Sequence, residues 1–331
     1  MQLSGAQAYI DEMQARIDSV LDPIVPNKPY ALLDFPDIRN VGDSAIWLGE
    51  MGYFERKGHG PPAYVSTMGN LDSAALEHRV PDGPIFLHGG GNFGDIWRGH
   101  QVFREKIIQR WPNRLIIQLP QSIYFGSPER IESSARIINA HKNFILLVRD
   151  RESQAFADEH LKCTTILCPD MAFYVGAIAP SQPAEFPILA MLRTDKERLV
   201  SRSENHIGVP VEDWITENEN LVRIAKAKGL LGALRALDVG RIRGAMYLAA
   251  ARQRVFERGV PQLSRGKVIV TDRLHVHILS LLLGKTHSVL DNSYNKIGRF
   301  RAAFPEPVGL THEAASLAEA MDWARRTIGG E

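Results

Sequence analysis

The chain has 331 residues, of which 44% are hydrophobic, and this is more than a single hydrophobic core usually accommodates. We therefore expect two domains. The 39 Lys and Arg residues nearly balance the 38 Asp and Glu residues, so the net charge of +1 argues against nucleic acid as a partner and gives no overall attraction to a membrane. Any positively charged site must be local.

The cysteines and the N-terminal segment bear on the cellular compartment. Cys163 and Cys168 fit neither a disulfide framework nor the paired spacing of a zinc site, so we interpret them as reduced core residues. Residues 1–21 carry charges among their apolar positions, unlike a signal peptide, and no apolar run approaches the roughly 18 residues of a membrane span. These features predict a cytoplasmic protein, with docking on the inner face of the cytoplasmic membrane left open.

Short apolar runs alternate with helix-length amphipathic segments between residues 30 and 170, a pattern that predicts a parallel sheet covered on both faces. The predicted strands are Tyr30–Phe35, Ala63–Ser66, Pro84–His88, Arg114–Leu119, Phe144–Val148 and Thr165–Leu167. A proline-rich stretch, 180–187, predicts a linker, and further strands follow at Ile188–Leu192, Lys267–Thr271 and Thr286–Leu290. We expect two Rossmann-like, doubly wound α/β domains, residues 1–180 and 181–331, with a ligand cleft between them.

Two motifs in the first half follow predicted strands. In Asn40-Val41-Gly42-Asp43, Gly42 permits a tight turn and the helix N-terminus offers N–H groups to an anion or a hydroxyl, although Asp43 is equally explained as a helix N-cap. The second motif is His88-Gly89-Gly90-Gly91-Asn92-Phe93-Gly94-Asp95. Three successive glycines indicate close approach of the backbone to a ligand, which His88 and Asp95 would then contact, and a plain tight turn is the alternative.

Two further motifs carry arginines at strand ends. Arg149 and Arg151 stand where a strand enters a helix, and arginine suits the two-pronged binding of a carboxylate or phosphate. We expect one of them to bind ligand and the other to be held by Asp150 or Glu152, with a surface ion-pair cluster as the alternative. Arg273 and His275 follow another strand, and a histidine there is a candidate general acid or base.

The ordered set of motifs resembles that of the polysaccharide pyruvyl transferase family, over residues 30 to 300. The matching segments are Asn40–Asp43, His88–Asp95, Leu119-Pro120-Gln121-Ser122, Val148–Ser153, Pro169-Asp170 and Asp272-Arg273-Leu274-His275. The resemblance implies a fold like that of two-domain glycosyltransferases of the GT-B type. It also implies transfer of the enolpyruvyl group of phosphoenolpyruvate to a sugar, usually as a cyclic ketal on a hexose of an exopolysaccharide or cell-wall glycan.

On this resemblance His275 is the expected proton donor or acceptor, and no cofactor or metal is expected beside the substrate phosphoenolpyruvate. The expected donor-binding residues are Arg149, Arg151, Arg193, Arg273 and Leu274. The expected acceptor-side residues are Asn40, Gly42, Asp43, His88, Gly89, Gly90, Gly91, Asn92, Asp95 and Gln121. Two other functions stay open: a metal-independent glycosyltransferase that uses a nucleotide sugar, and a non-catalytic regulator that binds sugar phosphates.

Residues 223–267 form an unusually basic segment, which belongs to a helical insert predicted at 200–265. The segment holds eleven Lys or Arg residues against two acidic ones, a local net charge of +9, interleaved with leucines. This pattern predicts basic amphipathic helices that dock on a membrane carrying a lipid-linked acceptor. A solvated helical face within the second domain explains it equally well.

Overall fold

A computed structural model describes residues 2–194, 208–214, 216–235, 241–291, 294–306 and 309–330. They form two parallel β-sheets with helices packed against them, which confirms the predicted α/β class. Every strand pair in both sheets is parallel. None of the helices in the described part of the chain combines the length and hydrophobicity that crossing a membrane requires.

The first sheet has seven strands in the order β2-β1-β3-β5-β6-β7, with β4 paired to β5. Its strands are β1 Ala31–Leu33, β2 Tyr64–Ser66, β3 Ile85–Leu87, β4 Gly90–Gly94, β5 Ile116–Tyr124, β6 Phe144–Val148 and β7 Thr164–Leu167. The helices of this half are α1 Gln2–Leu21, α2 Val41–Arg56, α3 Ser73–Arg79, α4 Arg98–Arg110, α5 Pro128–Ala140 and α6 Arg151–His160, followed by a 3₁₀ turn at Met171–Val175.

The second sheet has five strands in the order β12-β11-β10-β8-β9. Its strands are β8 Phe186–Met191, β9 Val211–Glu212, β10 Gly266–Thr271, β11 His287–Val289 and β12 Thr311–Glu313. The helices are α7 Glu219–Arg235, α8 Ile242–Arg254, α9 Val260–Ser264, α10 Leu274–Leu282, α11 Lys296–Ala303 and α12 Leu317–Gly329. A π-helical turn, Val255–Gly259, joins α8 to α9.

Strand order reverses once in each sheet, and this reversal positions the site. The first sheet reverses between β1 and β3, and the second between β8 and β10. At such a point the connections leave the sheet in opposite directions and open a crevice at the carboxyl ends of the strands. The segments that follow these four strands carry His88, Arg193 and Arg273, so three of the predicted site residues stand at the two crevices.

The two halves share packing. The largest hydrophobic cluster contains buried residues of both, for example Phe35 and Trp47 from the first and Leu189 and Ile269 from the second. Helix α1 touches both halves as well: the hydroxyl of Tyr9 donates to the carbonyl of Phe304 at 2.8 Å, and Lys57 pairs with Asp18 at 3.0 Å. These contacts fix the two sheets against each other.

Local structure departs from the sequence prediction at several places. The motif His88–Asp95, named here the glycine box, is a loop or turn in the sequence prediction, but Gly90–Gly94 forms β4 because its backbone pairs with the end of β5. Strand β5 accordingly runs on to Tyr124, past the predicted end at Leu119. Strands β9 and β12 were not predicted, because runs of two and three residues carry no periodic signal. The described residues of the basic segment are largely helical. Residues 236–240 lie outside the described residues, and so do residues 200–207 and 215 of the predicted helical insert.

Candidate active site

A cavity of about 630 Å³ lies at the two crevices. Segments that follow strands of both sheets contribute to its wall. The predicted site residues that line it are Asn40, Asp43, His88, Gly91, Asn92, Arg149, Arg193, Arg273, Leu274 and His275. Other residues that line it are Pro36, Asp37, Ile38, Arg39, Trp97, His100, Trp214 and Lys296.

Arg149, Asp170 and His275 form a polar cluster in the cavity wall, in which Arg149 and Asp170 are buried and His275 is partly exposed. Arg149 follows β6, donates from Nε to Ser122 Oγ at 3.0 Å, and pairs through Nη1 with Asp170. His275 reaches the same pair from the second half, with its Nε2 3.4 Å from Asp170 Oδ2 and 3.5 Å from Arg149 Nη1. The cluster therefore joins residues of both sheets at one point.

The carboxyl group of Asp170 is ionised in this setting. Burial by itself raises the pKa of Asp170, but the charges of His275 and Arg149 and a hydrogen bond from the backbone N–H of Ala172 outweigh burial and bring it well below its usual value. A fixed carboxylate beside His275 orients the ring. The geometry suits His275 for moving a proton.

The start of α2 leaves room for His275. A Cβ at Gly42 would come within 2.6 Å of the ring of His275, so only glycine allows this approach. Asn40 caps the helix by accepting from the N–H of Gly42 at 3.1 Å, and its amide donates to Asp43 at 2.8 Å. The alternative in which Asp43 is merely the N-cap is therefore wrong: Asn40 is the cap, and Asp43 lines the cavity.

The glycine box lies against the cationic wall of the cavity. A Cβ at Gly91 would stand 2.9 Å from Arg149 Nη2 and 3.2 Å from Lys296 Nζ, which explains the absence of a side chain at this position. Gln121 does not line the cavity but holds the glycine box in place by hydrogen bonds. Its amide donates to the carbonyl of His88 at 3.0 Å and to Asn92 Oδ1 at 2.9 Å.

His88 presents an unsatisfied ring nitrogen. Its Nδ1 lies 2.8 Å from Oε2 of Glu50, a fully buried carboxyl group on α2, while its buried Nε2 has no hydrogen-bond partner among the described residues. Burial lowers the pKa of His88, but the Glu50 carboxylate raises it more, so the pKa lies above its usual value. A buried polar atom without a partner in a cavity wall points to a bound ligand or water.

A second imidazole–carboxylate pair lies on the same wall. Nδ1 of His100 is 2.8 Å from Oδ2 of Asp34, and His100 lines the cavity. Asp34 follows β1 with a left-handed φ of 70°, a strained conformation that clusters at functional sites. Its other carboxylate oxygen is buried and has no partner among the described residues.

The second sheet supplies the opposite wall. Arg273 donates from Nη2 to Asp213 Oδ2 at 2.9 Å, and the N–H of Arg193 donates to Asp272 Oδ1 at 2.7 Å, which ties the ends of β8 and β10 together. Trp214 is buried beside them and also lines the cavity. Together with Arg149 and Lys296, these arginines place cationic groups of both halves around one space.

Several predicted residues do not line the cavity. Arg151 is exposed at the start of α6, and Asp150 and Glu152 pair with Arg299, so neither carboxylate holds an arginine of the motif as expected. Asp95 accepts from the backbone N–H groups of 126 and 127 and shapes that loop. The remaining three, Gly42, Gly89 and Gly90, contribute through backbone geometry at the edge of the site.

Sequence reasoning missed a group of residues that the fold brings to the site. The resemblance covered Asp170 without giving it a role, and no motif marked Glu50, Asp34, His100, Trp214 or Lys296. A buried charge in the middle of an apolar helix was the available signal for Glu50. Pairing of Asp34 with His100 depends on residues 66 positions apart, which one sequence does not reveal.

Comparison with known proteins identifies the family of the chain. The family model described as polysaccharide pyruvyl transferase matches residues 40–294. A Bacillus subtilis protein provisionally named pyruvyl transferase EpsO is 32% identical over 307 residues, which cover 90% of this chain and 92% of that one. Pyruvyl transferase 1 of Schizosaccharomyces pombe is 28% identical over 80% of this chain and 67% of its own length.

A solved structure supports the fold. The crystal structure of a functionally uncharacterised Klebsiella pneumoniae protein superposes with a TM-score of 0.54 at 20% identity, and the match covers 92% of this chain and 99% of that one. The family match spans the cavity motifs from Asn40 to His275. The chain therefore belongs to the polysaccharide pyruvyl transferase family.

Proposed function

We propose that the protein transfers the enolpyruvyl group of phosphoenolpyruvate to hydroxyls of a hexose in an exopolysaccharide precursor and forms a pyruvate ketal. The observation that carries this proposal is the convergence of Arg149, Arg193, Arg273 and Lys296 from two sheets on one cavity beside the His275–Asp170 pair. The family match supports transfer of a pyruvyl group to a polysaccharide.

The donor suits the cationic wall. Phosphoenolpyruvate carries a carboxylate and a phosphate, and arginine binds both groups through paired N–H donors. Arg149 is held by Ser122 and Asp170 through Nε and Nη1, which leaves Nη2 directed toward the glycine box. Because the guanidinium is fixed before the ligand arrives, little conformational entropy is lost on binding.

The chemistry needs proton transfers that the cluster can perform. His275 gives a proton to the methylene carbon, which becomes a methyl group while positive charge develops at the central carbon. An acceptor hydroxyl attacks that carbon and gives its proton to a base. The C–O bond between that carbon and the phosphate then breaks, and its electron pair leaves with the phosphate. A second hydroxyl then closes the ketal, and its proton accompanies the phosphate. Asp170 stabilises the charged imidazole, and Arg149 offsets the charge of the donor.

The acceptor suits the wall formed by the first sheet. The free Nε2 of His88 and the side chains of Asn40, Asp43 and Asn92 provide hydrogen-bonding groups for sugar hydroxyls. His100 lines the cavity, is oriented by Asp34, and is our candidate for the base that takes a proton from an attacking hydroxyl. Trp97 is 39% exposed and offers an aromatic face on which a sugar ring can lie.

The proposal includes a GT-B-like division of the chain near residue 180, with the acceptor on the first domain and most donor-binding residues on the second, completed by Arg149 of the first. The two sheets with reversal points on either side of one cavity support this division. It also includes a cytoplasmic location at the inner face of the membrane, supported by two cysteines that are free thiols.

Ligand-dependent thermal stabilisation followed by turnover tests the proposal. Phosphoenolpyruvate is expected to raise the melting temperature of the purified protein, and a hexoside acceptor is then expected to release phosphate together with a product heavier by pyruvate less water. Stabilisation by a nucleotide sugar, with transfer of that sugar, would replace the proposal with a glycosyltransferase. Stabilisation by sugar phosphates without turnover would indicate a regulator.

A further inference from the structure

Helix α7 presents an apolar stripe to solvent. Leu221, Ile224, Leu231 and Leu234 are between 43% and 52% exposed, although all are large hydrophobic side chains. Their spacing of three, seven and three residues puts them on one side of the helix. Among the described residues, these four make up much of the exposed large hydrophobic surface, so the stripe is a concentrated feature rather than scattered exposure.

The other side of α7 is bound to the protein. Val222 and Ala233 are buried, and a Cβ at Gly229 would stand 2.6 Å from the carbonyl of Ala245 on α8, so the two helices pack closely. Lys226 points to this side and pairs with Asp37 at 2.6 Å. The helix is therefore held in place with its apolar stripe facing outward.

Basic side chains flank the stripe. Lys228 and Arg235 fall between the leucines on the same face, and Arg223 borders it, while the acidic residue of the helix, Glu219, pairs with Arg39 at its first turn. A second copy of the chain seated on this face would bring like charges together. An anionic lipid surface instead complements both the charges and the apolar side chains.

Three arginines in the later part of the basic segment are engaged within the protein. Arg254 pairs with Glu217 at 2.9 Å and Arg265 pairs with Glu212 at 2.7 Å, while the guanidinium of Arg258 donates to the backbone carbonyls of Arg39 and Thr216. These side chains brace α8 and α9 against their neighbours. The surface available for a membrane is thus narrower than residues 223–267.

Helix α7 adjoins the rim of the cavity. Asp37 and Arg39 line the cavity, and the same two residues make the ion pairs to Lys226 and Glu219 of α7. Ile38 between them is 48% exposed. A surface docked on α7 therefore lies beside the rim of the cavity.

We infer that the exposed face of α7 is a docking surface for an anionic lipid bilayer. The apolar stripe lies at the boundary of the acyl chains, and Lys228 and Arg235 lie at the headgroups. The inference deepens the proposed function, on which it rests for the use of docking: a lipid-linked acceptor is presented to the cavity rim. Binding to the bilayer is independent of chemistry in the cavity.

Vesicle flotation of the full chain tests the surface. We expect flotation with vesicles of equal parts phosphatidylcholine and phosphatidylglycerol at low salt, and weak flotation with phosphatidylcholine alone. The double variant Ile224→Gln/Leu231→Gln is expected to lower the partition coefficient by about tenfold or more. Lys228→Gln/Arg235→Gln is expected to lower it by about tenfold or more on anionic vesicles.

Matched control variants distinguish an effect of the α7 face from the general effect of removing exposed apolar or basic side chains. Val211→Gln replaces an exposed apolar residue on β9, and Lys106→Gln/Arg136→Gln removes two exposed positive charges on α4 and α5. Both controls are expected to float like the wild type. Absence of wild-type flotation, or flotation unchanged in the α7 variants, would overturn the inference. So would dimerisation in solution that these variants abolish, because the face would then be a contact between chains.

A soluble acceptor distinguishes failure of the surface from failure of the proposed function. Without vesicles, the α7 variants are expected to turn over phosphoenolpyruvate and a soluble hexoside at the wild-type rate. Turnover by a wild type that does not float would refute the docking surface alone. Flotation by a protein without turnover would refute the proposed function and leave the surface standing.

Discussion

Gly42 and His275 are in direct contact across the two halves of the protein, since a methyl group at Gly42 would stand 2.6 Å from the ring of His275. The substitution Gly42→Ala is therefore expected to displace the imidazole from Asp170. We expect kcat to fall by about a hundredfold, because displacements of about 1 Å have such effects on catalysis. Steady-state kinetics with phosphoenolpyruvate and a hexoside measures this.

Gly99 provides the matched control for this substitution. It is the second residue of α4, as Gly42 is of α2, and a Cβ there meets nothing within 4 Å. Gly99→Ala is expected to retain kcat within about twofold and to stabilise the helix by up to about 1 kcal/mol. Equal activity of the two variants would show that the contact with His275 does not matter for turnover.

Asp170→Asn tests the carboxylate beside His275. We expect kcat to fall by about a hundredfold or more with a smaller change in KM for the donor, because an amide does not stabilise the imidazolium. Full activity in this variant would remove Asp170 from the mechanism.

The same variant has a signature in stability. Since the pKa of Asp170 is lowered in the fold, its stabilising contribution is present above its unfolded pKa and is lost as the pH falls through the folded value. The difference in unfolding free energy between wild type and variant is therefore expected to be largest near neutral pH and to shrink in acid. Urea unfolding at several pH values measures it, and a difference that grows in acid would contradict the assignment.

Sequence patterns were sufficient for the layered α/β fold and for much of the cavity wall. Buried parallel strands appear as continuous apolar runs, and their motifs lie at the carboxyl ends of strands where a ligand crevice forms, so His88, Arg149 and Arg273 could be named from the chain alone. Arg151 could not be distinguished from Arg149 by sequence. Arg149 directly follows strand β6, whereas Arg151 is the first residue of helix α6.

The missed residues depend on tertiary contacts. Glu50 lies 38 positions from His88, and Asp34 lies 66 positions from His100, so neither pair has a local signature. Strand β4 was missed because its glycines oppose strand formation, and pairing with β5 overrides that tendency. From the sequence, the predicted membrane surface covers the whole basic segment, because a sequence does not reveal which cations already have carboxylate partners.

His287 is expected to make stability sensitive to pH. Burial, reinforced by the charge of His277, lowers the pKa of His287 from 6.5 to about 3. Between pH 6.5 and about 3, the imidazole is therefore protonated in the unfolded chain and neutral in the folded chain. Its contribution to stability is present above pH 6.5 and is lost as the pH falls toward 3, with a slope of up to about 1.4 kcal/mol per pH unit. His287→Gln is expected to flatten the profile in that window, and parallel profiles would contradict the assignment.

The central claim is that one cavity binds phosphoenolpyruvate through Arg149 and protonates it through His275. Calorimetric binding of phosphoenolpyruvate and single-turnover phosphate release, measured on His275→Ala and Arg149→Lys side by side, test it most directly. We expect His275→Ala to bind the donor within about threefold of wild type and to lose turnover by about a thousandfold, while Arg149→Lys weakens donor binding by about tenfold or more. Near-normal turnover by His275→Ala, or unchanged donor binding by Arg149→Lys, would contradict the account.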